Sequence, residues 1–202
     1  MSNKYRKCVG MMILNHQKEI LVGRRIDHPS GFWQMPQGGI DDNEDPEQAV
    51  WREMMEEIGT NNAKIIKVSN QWISYNIPSA TLKTLPWGEK YVGQIQKWFA
   101  FEFTGKDSEI NIGTANPEFS EWKWTKIDSI IENIVPFKRN VYSLILEEFK
   151  NIFGYERQVS ISREISKIYE ETINGSLSKV HEILLNKKIK GEIVIVLTGS
   201  KK

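Results

Sequence analysis

The chain has 202 residues and a net charge of +1, with 40% hydrophobic and 26% charged residues. This composition excludes disorder along the whole chain, and the small net charge excludes a global basic surface for nucleic acid. The single cysteine, Cys8, excludes an internal disulfide and a cysteine metal cage. The N-terminus has no signal-peptide pattern, and no apolar run reaches the ~20 residues of a bilayer crossing. We therefore expect a cytoplasmic protein with no membrane segment.

The first forty residues alternate short apolar segments with polar turns, which predicts β-strands. Two strands are predicted at residues 9–14 and 19–23, on either side of a polar turn. Residues 26–40 are rich in Gly, Pro, Ser and Gln, and they are predicted to be mostly loop with a short strand at 32–35.

The clearest helix is predicted at residues 46–58. Asp45 is a natural N-cap, Gln48 completes a capping box, and Gly59 suits the C-terminal end. The helical period of 3.6 residues places the apolar side chains on one side, towards the core. That side is predicted to consist of Val50, Trp51, Met54, Met55 and Ile58.

The rest of the chain predicts more strands, followed by helices. Strands are predicted at residues 63–68, 71–75, 94–103 and 117–124, and helices at 127–133 and 138–153. The second of these helices has an apolar stripe formed by Val141, Leu144, Ile145 and Phe149. Strands separated by a few helices predict a mixed α/β fold, with helices packed on a sheet. A change of composition after Gly154 predicts two parts, 1–154 and 155–202.

The helix at 46–58 also carries a cluster of acidic residues on its other side. Glu53, Glu56 and Glu57 fall within an arc of roughly 100°. Their charges repel one another, and a divalent cation reverses this effect because hard ions prefer carboxylate oxygens. Ala49 is expected in the middle of the arc, where it would leave space for an ion or substrate. The alternative is a solvated acidic face balanced by Arg52.

The sequence around this helix resembles the Nudix box. The matching pattern is Gly38-x5-Glu44-x7-Arg52-Glu53-Met54-x-Glu56-Glu57-x-Gly59. One departure is Thr60, where the pattern usually has an aliphatic residue. The resemblance implies a Nudix α/β/α sandwich with a mixed sheet. It also implies hydrolysis of a nucleoside diphosphate linked to another moiety, assisted by Mg²⁺ or Mn²⁺.

The same resemblance implies roles for individual residues. The metal-binding residues that it implies are Glu53, Glu56, Glu57 and Gly38. Arg52 is expected to orient one of these carboxylates. A carboxylate of this set, or one on a later loop, would accept the proton from water. Glu118 is a candidate for that role or for a further metal contact, and the alternative is an exposed loop acid.

The likeness extends over residues 5–153 and points to the bacterial RNA pyrophosphohydrolases, also called dinucleoside polyphosphate hydrolases. The residues that carry it are Tyr5-Arg6, Gly23-Arg24-Arg25, Trp33-Gln34-Met35-Pro36-Gln37-Gly38-Gly39, Gly93-Gln94-x-Gln96-Lys97-Trp98-Phe99 and Pro136-Phe137-Lys138-Arg139. It implies 5′-triphosphorylated RNA as substrate, in mRNA decay, or alternatively a diadenosine polyphosphate. A third alternative is a Nudix module that senses a nucleotide without cutting it. The sequence identifies no protein partner.

Several residue types in this region suit a polyphosphate attached to a nucleoside. The basic side chains expected to clamp phosphates are Arg6, Arg24, Lys97 and Lys138. Tyr75 and Phe137 offer flat faces for stacking of a terminal base. Gly38 and Gly39 would let the backbone approach the ligand. The alternatives are core packing for Phe137 and solvated surface charge for the lysines.

The tail, residues 157–199, resembles part of the catalytic domain of 16S ribosomal RNA 2′-O-ribose methyltransferases of the tetrapyrrole methylase superfamily. It lacks the earlier glycine-rich loops that would hold the methyl donor, so methyl transfer is not predicted. Helices at 164–174 and 176–186 and a buried strand at 192–197 predict a small α/β extension. An inert appendage is preferred over RNA binding.

Overall fold

The structure is a computed structural model that describes residues 4–27, 31–154, 157–165, 168–185 and 191–198. The chain divides into two compact units, the first ending at Glu148 and the second beginning at Phe149. None of the helices in the described ranges has both the length and the hydrophobicity that crossing a membrane requires.

The first unit contains a mixed β-sheet. Its strands are β1 (Tyr5–Leu14), β2 (Ile20–Arg25), β3 (Trp33–Gln34), β4 (Gln37–Gly39), β5 (Ala63–Val68), β6 (Ile73–Asn76), β7 (Gly93–Phe103) and β8 (Phe119–Thr125). The order is β3-β2-β1-β7-β5, with β4 paired to β1, β6 to β7 and β8 to β2. Strands β1 and β7 are parallel, whereas the other pairs are antiparallel.

Four α-helices accompany the sheet in the described residues. They are α1 (Pro46–Ile58), α2 (Ser79–Leu82), α3 (Ile130–Asn133) and α4 (Arg139–Phe149). Short 3-10 turns occupy Asp107–Glu109, Ile127–Ser129, Pro136–Lys138 and Lys150–Phe153. The two helices predicted after the last strand are therefore present, but each is divided between a 3-10 turn and an α-helical segment.

Helices α1 and α4 pack on opposite faces of the sheet. Side chains alternate between the two faces of a strand. The face towards α1 forms one core cluster from Val9, Met11, Ile13, Phe99, Phe101, Phe103, Val50, Met54 and Ile58. On the other face, the ring of Trp98 meets that of Tyr142 in α4 edge-on, 5.6 Å between centroids. Gly10 pairs with Trp98 across the sheet, and a Cβ there would lie 2.6 Å from the indole. The predicted α/β/α sandwich is confirmed.

The ends of α1 confirm the capping that the sequence predicts. The side chain of Asp45 accepts hydrogen bonds from the backbone amides of Glu47 (2.8 Å) and Gln48 (3.0 Å). The side chain of Gln48 accepts one in return from the Asp45 amide, at 3.2 Å. Gly59 ends the helix in the left-handed conformation, with φ of 70°. Local sequence is enough to define this helix because both ends are closed by residues within it or next to it.

Three side chains on the helices lie on a different side from the one predicted. Ala49 is fully buried in the core cluster and therefore does not border the acidic residues' open side as predicted. Met55, predicted to face the core, is 45% exposed, and Leu144 in α4 is also exposed. All three lie near the edge of their helical faces, where the docking angle of the helix decides which side is covered.

The second unit contains β9 (Gln158–Arg163), β10 (Glu171–Ser176), α5 (Leu177–Leu185) and β11 (Ile193–Leu197). Its strands are antiparallel in the order β10-β9-β11. The prediction of a helix at 164–174 is wrong, because this segment contributes β10, which pairs with β9 from Glu171 to Ser176. The predicted helix at 176–186 corresponds to α5, and Asn186 lies outside the described residues. The predicted last strand is present, but its side chains are 43% to 60% exposed instead of buried.

Candidate active site

A pocket of about 680 Å³ opens in the first unit, beside the acidic side of α1. It brings together residues from β1, β4, β6, α1, the segment before β8 and the 3-10 turn before α4. The residues predicted to form the site that line it are Arg6, Gly38, Gly39, Glu53, Glu56, Tyr75, Glu118, Phe137 and Lys138. Four other predicted residues do not line it: Arg24, Arg52, Glu57 and Lys97.

The acidic residues of α1 differ strongly in exposure. Glu53 is 7% exposed and Glu57 is 2% exposed, whereas Glu56 is open to solvent. One carboxylate oxygen of Glu57 accepts a hydrogen bond from the Gln37 amide at 2.8 Å, and the other oxygen, Oε1, is buried with no hydrogen-bond partner. Strand β4, which the sequence predicted as loop, supplies this amide because it pairs with β1.

Gly38 in β4 lies directly against the Glu53 carboxylate. A Cβ at this position would come within 1.9 Å of the carboxylate, so only glycine leaves room for it. The register that pairs Gly38 with Val9 of β1 fixes this close approach. The glycine therefore brings backbone and carboxylate together at the edge of the pocket.

Arg52 connects the acidic residues to one another. Its guanidinium donates two hydrogen bonds of 2.8 Å to Glu44, one of 2.9 Å to Glu53 and one of 3.1 Å to Glu56. A further bond of 2.8 Å reaches the carbonyl oxygen of Gly39. Arg52 makes these contacts without lining the pocket, and its orienting role stays a prediction.

The buried carboxylates are unfavourable as isolated anions. Burial raises the pKa of Glu53 to about 7, and repulsion from Glu56 and Glu118 adds to this rise. Burial also raises the pKa of Glu57 well above its usual range, with further contributions from Glu118 and Glu53. Repulsion of this kind, together with the unpartnered Oε1 of Glu57, fits a site for a divalent cation.

The carboxylates do not already form a closed metal cage. Among the described residues, no three acidic, histidine or cysteine side chains converge as a ready metal site. Arg52 holds one oxygen of Glu53 and one oxygen of Glu56. The donor set has the hard oxygen chemistry that Mg²⁺ and Mn²⁺ prefer.

The arginine that reaches the pocket from β2 is Arg25, which the sequence did not single out as a site residue. Its guanidinium donates to Asp27 at 2.6 and 2.5 Å and to Glu118 at 3.2 Å. Arg24 is half-exposed and forms an ion pair with Glu121 at 2.9 Å, away from the pocket. Neighbouring residues of a strand face opposite sides, so only one of the two arginines can enter the pocket. The alternation of side chains along the strand predicts that the two arginines face opposite sides. It does not predict which side faces the pocket.

The two predicted lysines have different surroundings. Lys138 is buried at the pocket, where its Nζ donates to the side-chain oxygens of Gln34 (3.0 Å) and Gln37 (3.1 Å). Burial lowers the pKa of its ammonium to about 7, and Arg25 acts in the same direction. Lys97 donates to the backbone carbonyl of Ser69 at 2.6 Å, outside the pocket lining.

The two predicted stacking residues pack against each other. The rings of Tyr75 and Phe137 are stacked, with 6.1 Å between centroids and 25° between planes. Tyr75 is buried, and its hydroxyl is 2.5 Å from the side-chain oxygen of Gln94. Phe137 is only half-buried, so it offers the more accessible aromatic face in the pocket.

Comparison with known proteins agrees with this geometry. The sequence matches the NUDIX domain over residues 4–145. An RNA pyrophosphohydrolase of Rhodospirillum rubrum is 51% identical over 144 residues, 71% of this chain and 86% of the relative. One from Wolbachia sp. subsp. Drosophila simulans is 48% identical over 151 residues, 74% of this chain and 92% of the relative.

Solved structures show the same fold at much lower identity. The structure of a C. elegans Ap4A hydrolase binary complex superposes with a TM-score of 0.55 and 21% identity, covering 73% of this chain and 96% of that protein. At this identity the likeness concerns the fold alone. The sequence match, the close relatives and the architecture lead to one conclusion: the chain belongs to the Nudix family.

Proposed function

We infer that this chain is an RNA pyrophosphohydrolase, a hydrolase that acts on phosphorus anhydrides. It removes pyrophosphate from 5′-triphosphorylated RNA and leaves a 5′-monophosphate end. This inference rests on sequence similarity to relatives named RNA pyrophosphohydrolase. About half of the aligned residues are identical, and the alignments cover most of each relative's length. The pocket supports it, because basic side chains suited to phosphate oxygens meet there with carboxylates suited to a divalent cation.

We propose that Glu53, Glu56 and Glu57, with the backbone of Gly38, hold a divalent cation, Mg²⁺ or Mn²⁺. The unpartnered Oε1 of Glu57 and the mutual repulsion of the carboxylates support this assignment. When bound, the cation offsets phosphate charge and lowers the pKa of an attacking water. Arg52 keeps the carboxylates of Glu53 and Glu56 oriented until then.

The remaining pocket residues are assigned to substrate and proton handling. Arg6 and Lys138 bind phosphate oxygens, and Phe137 stacks on a base. Glu118 lies in the pocket with one oxygen 3.2 Å from Arg25, and we assign it to accept the proton from water or to contact the cation. In the overall reaction, water adds to phosphorus, one phosphoanhydride bond breaks, and pyrophosphate leaves with its electron pair.

We place this activity in the cytoplasm, at an early step of mRNA decay. Conversion of a 5′-triphosphate into a 5′-monophosphate changes the 5′ group of the RNA on which the enzymes of later turnover steps act. Neither Lys97 nor Arg24 lines the pocket, so the phosphate contacts predicted for them are not part of this proposal. The full set of three glutamates on α1 argues against a module that only senses nucleotides.

An assay in Mg²⁺ with equal concentrations of 5′-triphosphorylated RNA and diadenosine tetraphosphate tests the function. We expect release of pyrophosphate from the RNA, and a loss of ~10²-fold or more in kcat for Glu53→Gln. Chelation of the metal by EDTA should abolish turnover of both substrates. Cleavage of the dinucleotide alone would replace RNA as the substrate while keeping the chemistry. No reaction with Mg²⁺ or Mn²⁺ would refute the enzymatic function for these substrates.

A further inference from the structure

The guanidinium of Arg6 lies at the pocket wall, and no carboxylate of the described residues pairs with it. Its Cζ lies 5.1 Å from the centre of the Trp87 ring. A Cβ added to Gly39 would lie 2.1 Å from its Nη2, so the guanidinium rests on the Gly39 backbone. Within the described ranges, Arg6 forms no ion pair, whereas Arg25 and Arg52 each bind carboxylates.

Trp87 is placed beside Arg6 by a segment rich in turns between α2 and β7. The amide of Lys90 donates to the carbonyl of Trp87 at 3.1 Å, and the amide of Val92 donates to the carbonyl of Lys4 at 3.0 Å. The second bond ties the segment to the residue before β1. The Tyr91 ring meets the Trp87 ring edge-on, with centroids 6.2 Å apart. Trp87 is half-buried, lines the pocket and is not part of the buried core.

An aromatic partner has a chemical advantage over an acidic one for an arginine that binds phosphate. The aromatic face attracts the guanidinium through its quadrupole and uses none of the N–H donors. A carboxylate would occupy two of these donors and offset the positive charge. The guanidinium over the ring therefore keeps its donors and its charge available to an anion, while the ring holds it in place.

We propose that Trp87 is a positioning residue for the polyphosphate, acting through Arg6. This inference rests on the proposed function, which assigns Arg6 to phosphate. The indole holds the guanidinium beside Gly39, so that the triphosphate meets an ordered cation when it enters the pocket. In this assignment Trp87 acts through Arg6, so its contribution is to substrate binding and not to bond cleavage.

Three variants of the full chain test the role of Trp87: Trp87→Leu, Trp87→Phe and Trp72→Leu. Trp72 is an exposed tryptophan outside the pocket lining and serves as the matched control. We expect Trp87→Leu to raise KM for 5′-triphosphorylated RNA about fivefold and to leave kcat within about twofold of the original chain. Trp87→Phe should restore KM, and Trp72→Leu should leave both constants unchanged. An unchanged KM in Trp87→Leu, or a Phe variant as impaired as the Leu variant, would overturn the proposal.

Coupling between Trp87 and Arg6 is tested by calorimetric binding of inorganic tripolyphosphate, a measurement that needs no turnover. Arg6→Gln is expected to weaken binding, and Trp87→Leu added to Arg6→Gln should weaken it no further. Additive losses would overturn the proposal, as would a complete lack of binding to the original chain. If that chain leaves triphosphorylated RNA uncut, the proposed function fails. Non-additive tripolyphosphate binding would then still support the role of Trp87.

Discussion

At the scale of single residues, the arginines that line the pocket differ in the groups that contact their guanidinium. Arg25 is bound to Asp27 and Glu118, and the Arg6 guanidinium has an aromatic ring and a glycine as neighbours. The first arrangement fixes the position of a carboxylate, and the second leaves donors for a ligand. Arg24, one residue before Arg25, lies outside the pocket lining, and its guanidinium pairs with Glu121 at the surface.

This difference predicts unequal effects of substituting the two neighbouring arginines of β2. Arg25→Gln removes a cation from the pocket and the ion pair that holds Glu118, so kcat/KM for triphosphorylated RNA should fall about tenfold or more. Arg24→Gln removes only an exposed ion pair of the kind that contributes ~0–1 kcal/mol to stability. It should leave kcat/KM nearly unchanged and serves as the control. Equal losses in the two variants would contradict the placement of Arg25.

At the scale of elements, helix α1 is the support on which the carboxylates are presented. Asp45 and Gln48 form a reciprocal capping box at its N-terminus, and Gly59 caps its C-terminus. Its apolar face is buried on the sheet, which fixes the rotation of the helix about its axis. Strand β4 then brings the Gln37 amide to Glu57 and places Gly38 beside Glu53. The helix and this strand together define the acidic wall of the pocket.

Loss of the N-cap should therefore lower stability without removing the chemistry. Asp45→Ala leaves the amides of Glu47 and Gln48 without their acceptor, and we expect it to reduce the free energy of unfolding by about 1 kcal/mol. Asp42→Ala, an exposed acid before the helix, is the matched control and should change the free energy of unfolding little. Urea denaturation measures both changes. Equal destabilisation by the two substitutions would show that general charge, and not capping, is responsible.

Much of the element pattern could be predicted because it depends on neighbours in sequence. The bounds of α1 follow from Asp45, Pro46 and Gly59, which all act within a turn of the helix ends. The sequence predicts a helix where β10 lies, because the strand depends on pairing with β9, a contact beyond the range of a single helical turn. Strand β4 was missed for the same reason, since its glycines have weak strand preference and its partner is β1.

At the scale of the whole molecule, the pocket belongs entirely to the first unit. All of its lining residues precede Glu148. The Wolbachia relative matches 151 residues of this chain, which account for 92% of its own length. A tail the size of residues 155–202 is therefore absent from that relative, and the methyltransferase likeness of the tail stays a prediction.

Removal of the tail should leave catalysis intact. We expect a chain ending at Gly154 to hydrolyse triphosphorylated RNA with kcat/KM within about twofold of the full chain, because a unit with its own core can fold alone. The full-length chain carrying Glu53→Gln is the inactive reference. A large rise in KM for long RNA, with normal cleavage of a short triphosphorylated oligonucleotide, would instead assign RNA binding to the tail.

The sequence alone determined which residues are ionisable, where α1 begins and ends, and which family pattern the acidic helix matches. These depend on side-chain chemistry and on contacts within a few residues. Only the tertiary structure decided that Arg25 enters the pocket in place of Arg24, that Ala49 belongs to the core, and that Trp87 meets Arg6. These depend on which face of a strand or helix is covered, and on segments brought together from distant parts of the chain. The packing of the whole sheet against its helices determines which faces are covered and which distant segments meet.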